Sequence, residues 1–204
     1  MLAKADEYFA GFDNHDIVLE DESCNYIARQ TFDEDGLAVT ISKMRADGLK
    51  LEHLQPWLDD PTAIQMVLND RLTREQMPDH EGHAMWHLKM AMPMMISNRS
   101  IITCFYTGET SDGYQALFHS SAGNEEQTEG HAEQIGYDVI AINHLTFTCY
   151  KADETGMDMR QIICIDPQGS IPGFVKNKLA STAADGLMKM VNYLKDGTLP
   201  GSIF

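Results

Sequence analysis

At 204 residues, 43% hydrophobic and 23% charged, the chain has the make-up of a globular protein large enough for a well-filled core. Its formal charge of −16 opposes nucleic acid and non-specific adhesion to anionic membranes, because the summed field repels phosphate. No run approaches the roughly eighteen apolar residues of a membrane span, and residues 1–6 lack the basic-then-apolar layout of a signal peptide. The expectation is one domain over residues 1–204, a cytoplasmic monomer. Cys24, Cys104, Cys149 and Cys164 form no CxxC pair, and three lie in apolar strand-like runs. They are expected as small buried hydrophobes in a reducing compartment.

In chain order, Leu2, Ala5, Tyr8, Phe9 and Phe12 recur at helical spacing, and Glu20-Asp21-Glu22 breaks the pattern. Residues 24–31 and 37–45 alternate around Asp33-Glu34-Asp35-Gly36, a hairpin signal. From Leu49 to Leu72 the period changes to that of two short helices, the second starting at Pro61 or Thr62. Strands are then expected over residues 83–92, 99–107, 114–120, 131–140, 143–150 and 159–165. Such short connections imply an antiparallel meander. Finally, Asp166-Pro167-Gln168-Gly169 is turn chemistry, Ser170 is a candidate cap, and Val175, Leu179, Ala183, Leu187, Met190, Val191 and Leu194 form one stripe on a helix of about six turns. The class is α+β, a curved antiparallel sheet gripping a long C-terminal helix.

Nothing marks a catalytic centre. No GxSxG, P-loop, dinucleotide fingerprint or paired catalytic carboxylate occurs. His80, His83 and His87 fall one residue short of a zincin motif on a strand, so surface histidines are expected rather than a metal site. No cofactor is expected. Met92, Met94 and Met95 flank Pro93, where two readings stand open: a pliable apolar tip, or a tuck into the core. Arg99 between apolar residues is read either as an inward polar anchor or as a surface or loop-anchoring arginine. Trp86, Tyr114 and Phe118 fall on the expected inward face of their strands. Lys176, Lys178, Lys189 and Lys195 against Asp185 and Asp196 make the last helix locally basic, fit for an anionic leaflet or simply for solvent.

Two stretches resemble the START (steroidogenic acute regulatory protein-related lipid-transfer) domains. Lys89-Met90-Ala91-Met92-Pro93-Met94-Met95-Ile96-Ser97-Asn98-Arg99-Ser100-Ile101-Ile102 is similar to the family's strand, omega loop and Ser-x-Arg-Asp opening of the next strand, with Ser100 in the place of Asp. Residues 166–177 are similar to the opening of its C-terminal helix, with Phe174 where Trp is common. The order of elements agrees over about residues 20–197. The resemblance implies a helix-grip fold with a hydrophobic tunnel holding one lipid, and non-enzymatic exchange at membranes through a helix and loop lid. The implied lining is Trp86, Leu88, Met90, Met92, Met94, Met95, Arg99, Tyr114, Phe118 and Phe147 from the sheet and loop. From the helix it is Phe174, Val175, Leu179, Leu187, Met190 and Val191. The ligand would be a phospholipid, sterol or other single lipid, with transient membrane contact and no nucleic acid. The rivals are a cyclase or hydrolase of the wider superfamily, using some of His119, His144, Asp138 and Arg99, and a lipid-sensing regulatory domain.

Overall fold

The structure, a computed structural model, describes residues 1–80, 82–93, 96–121 and 138–197. Helix α1 (Leu2–Ala10) and a single 3-10 turn (Phe12–Asn14) lead into strand β1 (Asp16–Asp21). Strands β2 (Tyr26–Phe32) and β3 (Ala38–Asp47) make the expected hairpin. Its turn is held by Asp33 Oδ1, which accepts from the amides of Asp35 (3.0 Å) and Leu37 (2.8 Å), and Gly36 supplies the left-handed residue at φ +77°. Helices α2 (Leu51–Asp59) and α3 (Pro61–Leu68) follow. Asp60 caps α3 by accepting from Ala63 N at 3.0 Å, with Pro61 in the first turn. Pro56 sits within α2 without ending it, because Leu54 and Trp57 bury that helix's inner face.

The remaining strands are β4 (Leu72–His80), β5 (His83–Met90), β6 (Arg99–Glu109), β7 (Gln115–Ser120), β8 (Val139–Ile140), β9 (Ile142–Ala152) and β10 (Gly156–Asp166). Of the strand expected over residues 131–140, positions 131–137 lie outside the described residues. Helix α4 (Gly173–Asp196) closes the order. It starts at Gly173 with Pro172 as N-cap and no side-chain cap, so Ser170 does not take the capping role expected of it.

The sheet runs β1-β2-β3-β10-β9-β7-β6-β5-β4, with antiparallel neighbours throughout and β8 added in parallel to β6. The meander therefore spans β4 to β10, while the N-terminal hairpin joins it through the β3–β10 pairing. Strand β1 was not expected. Its end runs into Glu20-Asp21-Glu22, which reads as a break, yet an edge strand with exposed Ile17 and Val18 needs little apolar pattern to pair on one side. At Gly156 a Cβ would fall 2.6 Å from the Ala46 carbonyl oxygen, so the β3–β10 pairing there admits only glycine.

Both faces of the sheet are buried. On one, α1 and the turn after it set Ala5, Phe9 and Phe12 over Val39, Ile41, Phe118, Phe147 and Ile162. The rings of Phe9 and Phe147 meet edge-on at 6.0 Å, and those of Phe118 and Phe147 stack at 5.8 Å. On the other face lie α2, α3 and α4. There Ala184, Leu187, Met190 and Val191 pack with Tyr26, Met44, Leu54, Trp57, Met157 and Met159. The Tyr26 hydroxyl clamps α4 by bonding to the Ala184 carbonyl and to Ser42 Oγ (3.0 Å). This is the α+β helix-grip arrangement expected from the sequence.

Candidate functional site

The second face is not filled from end to end. A cavity of about 580 Å3 lies between the sheet, α3 and α4. Apolar walls come from Leu88 and Met90 on β5, Ile101 and Phe105 on β6, Ile163 and Ile165 on β10, Ile64 and Leu68 on α3, and Leu179 and Met190 on α4. A mostly apolar lining with a few polar groups is how sites for small hydrophobic ligands are built.

Among the polar groups, which also include Gln30, Thr40, Gln65, Asn69, Thr182, Lys176 and Lys189, two sets stand out. One crosses the sheet: His119 on β7, Asn143, Thr146 and Thr148 on β9, and Gln161 on β10. Asn143 Nδ2 reaches His119 Nδ1 at 2.9 Å, Thr103 Oγ1 lies 3.2 Å from the same nitrogen, and the Phe105 ring stacks on the imidazole at 4.6 Å. Burial pushes the His119 pKa down to about 3, so the ring is neutral. Gln161 donates from Nε2 to Thr148 Oγ1 at 3.1 Å.

The other set is the corner into α4. Arg99 donates from Nε to the Pro167 carbonyl (2.6 Å), from Nη2 to the Gln168 carbonyl (3.0 Å), and from Nη1 to the Ser97 carbonyl. Burial lowers its pKa. Asp166 accepts from Gln168 N at 2.8 Å and from Gln168 Nε2 at 2.6 Å, holding Gln168 at φ +52°. A Cβ on Gly169, φ +65°, would stand 3.7 Å from Arg99 Nη2. Arg99 is thus the strut beneath the corner, the loop-anchoring reading of the two, although it also borders the cavity.

Of the residues expected to line a ligand site, Leu88, Met90, Met92, Arg99, Leu179 and Met190 border the cavity. Trp86 shares the face of Leu88 but lies further along β5, half-buried beneath the Arg74 guanidinium at 4.9 Å. Tyr114, Phe118 and Phe147 point to the opposite face, under α1. The reason is the two-residue period: Leu117, His119, Thr146 and Thr148 occupy the cavity side, so their neighbours must face away. Val175 is buried at the corner with Met92 and Ile171, and Leu187 and Val191 pack in the solid cluster further along α4. Phe174 points outward, 71% exposed. Met94 and Met95 lie outside the described residues. Missed from sequence were the floor residues Thr146, Thr148 and Gln161, while His119 was expected only as a candidate of the rival enzyme. The signal for the two threonines was their alternation with Phe147 along β9; Gln161 on β10 carried none.

Of the four enzyme candidates, His119 and Arg99 border the cavity and the other two do not. His144 stays half-buried on β9, and Asp138 pairs with Lys89 at 3.0 Å and accepts from Ser100 Oγ at 3.1 Å, away from the cavity. His87, expected on the surface, is buried and bonded to Ser100 Oγ at 3.0 Å. His83 is exposed and tilts against the Tyr106 ring at 4.5 Å. Among the described residues no cluster of three metal-ligating side chains occurs, and no helix is long and apolar enough to cross a membrane. All four cysteines are free.

No protein-family profile matches the chain, and no curated protein matches it by sequence. By structure it is similar to human StAR-related lipid transfer protein 5 (TM-score 0.71, 13% identity, 95% of this chain and 91% of that one). It is similar also to human STARD10 (0.68, 14%, 92% and 77%) and to a STAR-related lipid transfer protein of Xanthomonas axonopodis (0.61, 16%, 89% and 96%). At such identities the likeness is one of fold, and that fold is the START-type helix grip.

Proposed function

We propose that this START-type helix-grip chain is a non-enzymatic lipid carrier, holding one hydrophobic ligand in the cavity beneath α4 and exchanging it at membranes. The observation that carries the reading is that cavity of about 580 Å3, apolar-walled and set between sheet and helix. Burying about 400 Å2 of ligand surface there stabilises the complex by roughly 10 kcal/mol gross. A bilayer offers a similar environment, so the net preference is small and exchange is feasible.

In this reading Leu88, Met90, Met92, Leu179 and Met190 contact the ligand. Met94 and Met95, with the start of α4, act as the lid. Phe174 and the neighbouring Lys176 and Lys178 suit a brief contact with an anionic leaflet, an apolar ring beside two cations. The protein would work as a monomer in the cytoplasm, where its four thiols stay reduced.

Native mass spectrometry of the protein recovered from a eukaryotic lysate tests the reading. A stoichiometric lipid adduct is expected, and it should vanish in Ala183→Phe, which fills the cavity from α4. A protein that emerges empty and takes up nothing from liposomes would sink the carrier reading. Lipid transfer between liposomes should slow in Met94→Asp and Phe174→Asp.

A further inference from the structure

We infer that the middle of the cavity floor is a recognition subsite for a neutral hydrogen-bond donor, with a ligand hydroxyl bonded to Gln161 Oε1. The inference rests on the carrier reading and names the chemistry that reading leaves open. Gln161 is only 9% exposed, and its Oε1 has no hydrogen-bond partner among the described residues. Its amide nitrogen is already committed to Thr148. Buried carbonyl oxygens are paired in nearly all folded proteins, because an unpaired one forfeits its hydration for nothing. Gln161 borders the cavity with its unpaired oxygen tucked under α4, so a small turn of the amide would bring that oxygen a donor from whatever fills the cavity.

The space beside it is kept by the chain. Gly186 of α4 stands directly over Gln161, and a Cβ there would reach 3.5 Å from Oε1. A Cβ at 186 would meet the oxygen at ordinary contact distance, and a longer side chain there would cover it from the helix side. The surroundings select for a neutral group. Thr146 and Thr148 flank the amide, the nearby imidazole of His119 is uncharged, and an anionic head group would be repelled by the carbonyl oxygen. Three cations border the cavity: Arg99 is engaged with three backbone carbonyls, Lys189 is paired with Asp185 at 2.8 Å, and Lys176 stands nearly three helical turns before Gly186 on α4, at the corner end.

Size narrows the class further. At the ~30 Å3 that one water molecule takes up, 580 Å3 holds roughly twenty non-hydrogen atoms. That is the scale of a single acyl chain or a sterol ring system, well short of a two-chain phospholipid. The ligand class is therefore a long-chain or polycyclic alcohol whose hydroxyl ends at Gln161.

Three matched probes test this: 1-hexadecanol, hexadecyl methyl ether and hexadecane, offered from phosphatidylcholine vesicles to the full chain, with uptake read by mass spectrometry after re-isolation. The alcohol should be taken up about tenfold better than the ether, which accepts but cannot donate. Gln161→Leu should bring the two within about twofold and raise uptake of the alkane. That variant removes an unpaired buried oxygen, so its melting temperature should match or exceed wild type; if it falls, Gln161→Met, closer in length, repeats the comparison. Equal uptake of alcohol and ether by wild type overturns the subsite and leaves the carrier reading standing. Uptake of none of the three, nor of the vesicle lipid, overturns both.

Discussion

The two faces of one sheet have opposite characters. Under α1 the strands present Phe118, Phe147, Ile162 and Val39 to Phe9 and Phe12, and rings close the space. Under α4 the same strands present Thr146, Thr148, Gln161 and His119, and leave about 580 Å3 between sheet and helix. Strand β9 shows the division within three residues, Thr146 and Thr148 to the cavity and Phe147 to the packed side. The solid side supplies dispersion contacts that do not depend on a ligand. That leaves the hollow side free to be built from smaller and more polar side chains. Stability and binding are thus carried by alternate residues of the same strands.

The largest test of this contrast pairs one truncation from each face. Phe147→Ala should cost about 3–5 kcal/mol in urea unfolding, whereas Leu179→Ala, which only enlarges existing space, should cost about 1 kcal/mol or less. Equal losses would mean that the second face packs as tightly as the first. Next in size is Arg99→Met. It strips three backbone carbonyls of a charged donor and should cost about 2–3 kcal/mol by the same measurement.

Smaller, and confined to the cavity floor, is the pH response of His119. Its folded pKa of about 3 lies below the unfolded 6.5, so an unfolded chain binds a proton that the folded one refuses. The contribution is complete above about pH 6.5 and is lost as pH falls toward 3, at no more than about 1.4 kcal/mol per pH unit. His119→Gln should flatten the decline between pH 6.5 and 5, above the range in which the lowered carboxylates of Asp60 and Asp112 titrate. Identical declines in variant and wild type would show that the floor admits the charged ring.

Much of the architecture was legible because it rests on local chemistry. Asp33 to Gly36, Asp60-Pro61 and Asp166 to Gly169 are turn and cap signals whose side chains act on their own backbone, and the stripe on α4 has the helical period. The face of each strand was not legible in the same way. A sheet buried on both sides offers two apolar sets, and the larger rings at Tyr114, Phe118 and Phe147 looked like the better lining. Cavities are bounded by what leaves room, so threonines and an amide mark this one. Arg99 showed the same limit. Its isolation among apolar residues signalled a buried charge, but its partners, the carbonyls of residues 97, 167 and 168, depend on the fold bringing a distant turn alongside β6.

The Tyr26 clamp gives α4 two unequal halves. Beyond Ala184 the helix is tied by a hydroxyl to its own backbone and by Leu187, Met190 and Val191 to the main cluster. Before it, the helix spans the cavity and is pinned at its start mainly by Val175 against Met92 and Ile171. Amide hydrogen exchange should record this as a gradient, with residues 176–182 opening at lower free energy than 187–194. Release would then be a lever stroke about a fixed pivot. The rate of cargo exchange would answer to three apolar side chains, Val175, Met92 and Ile171, and the global stability of the protein would hardly enter it.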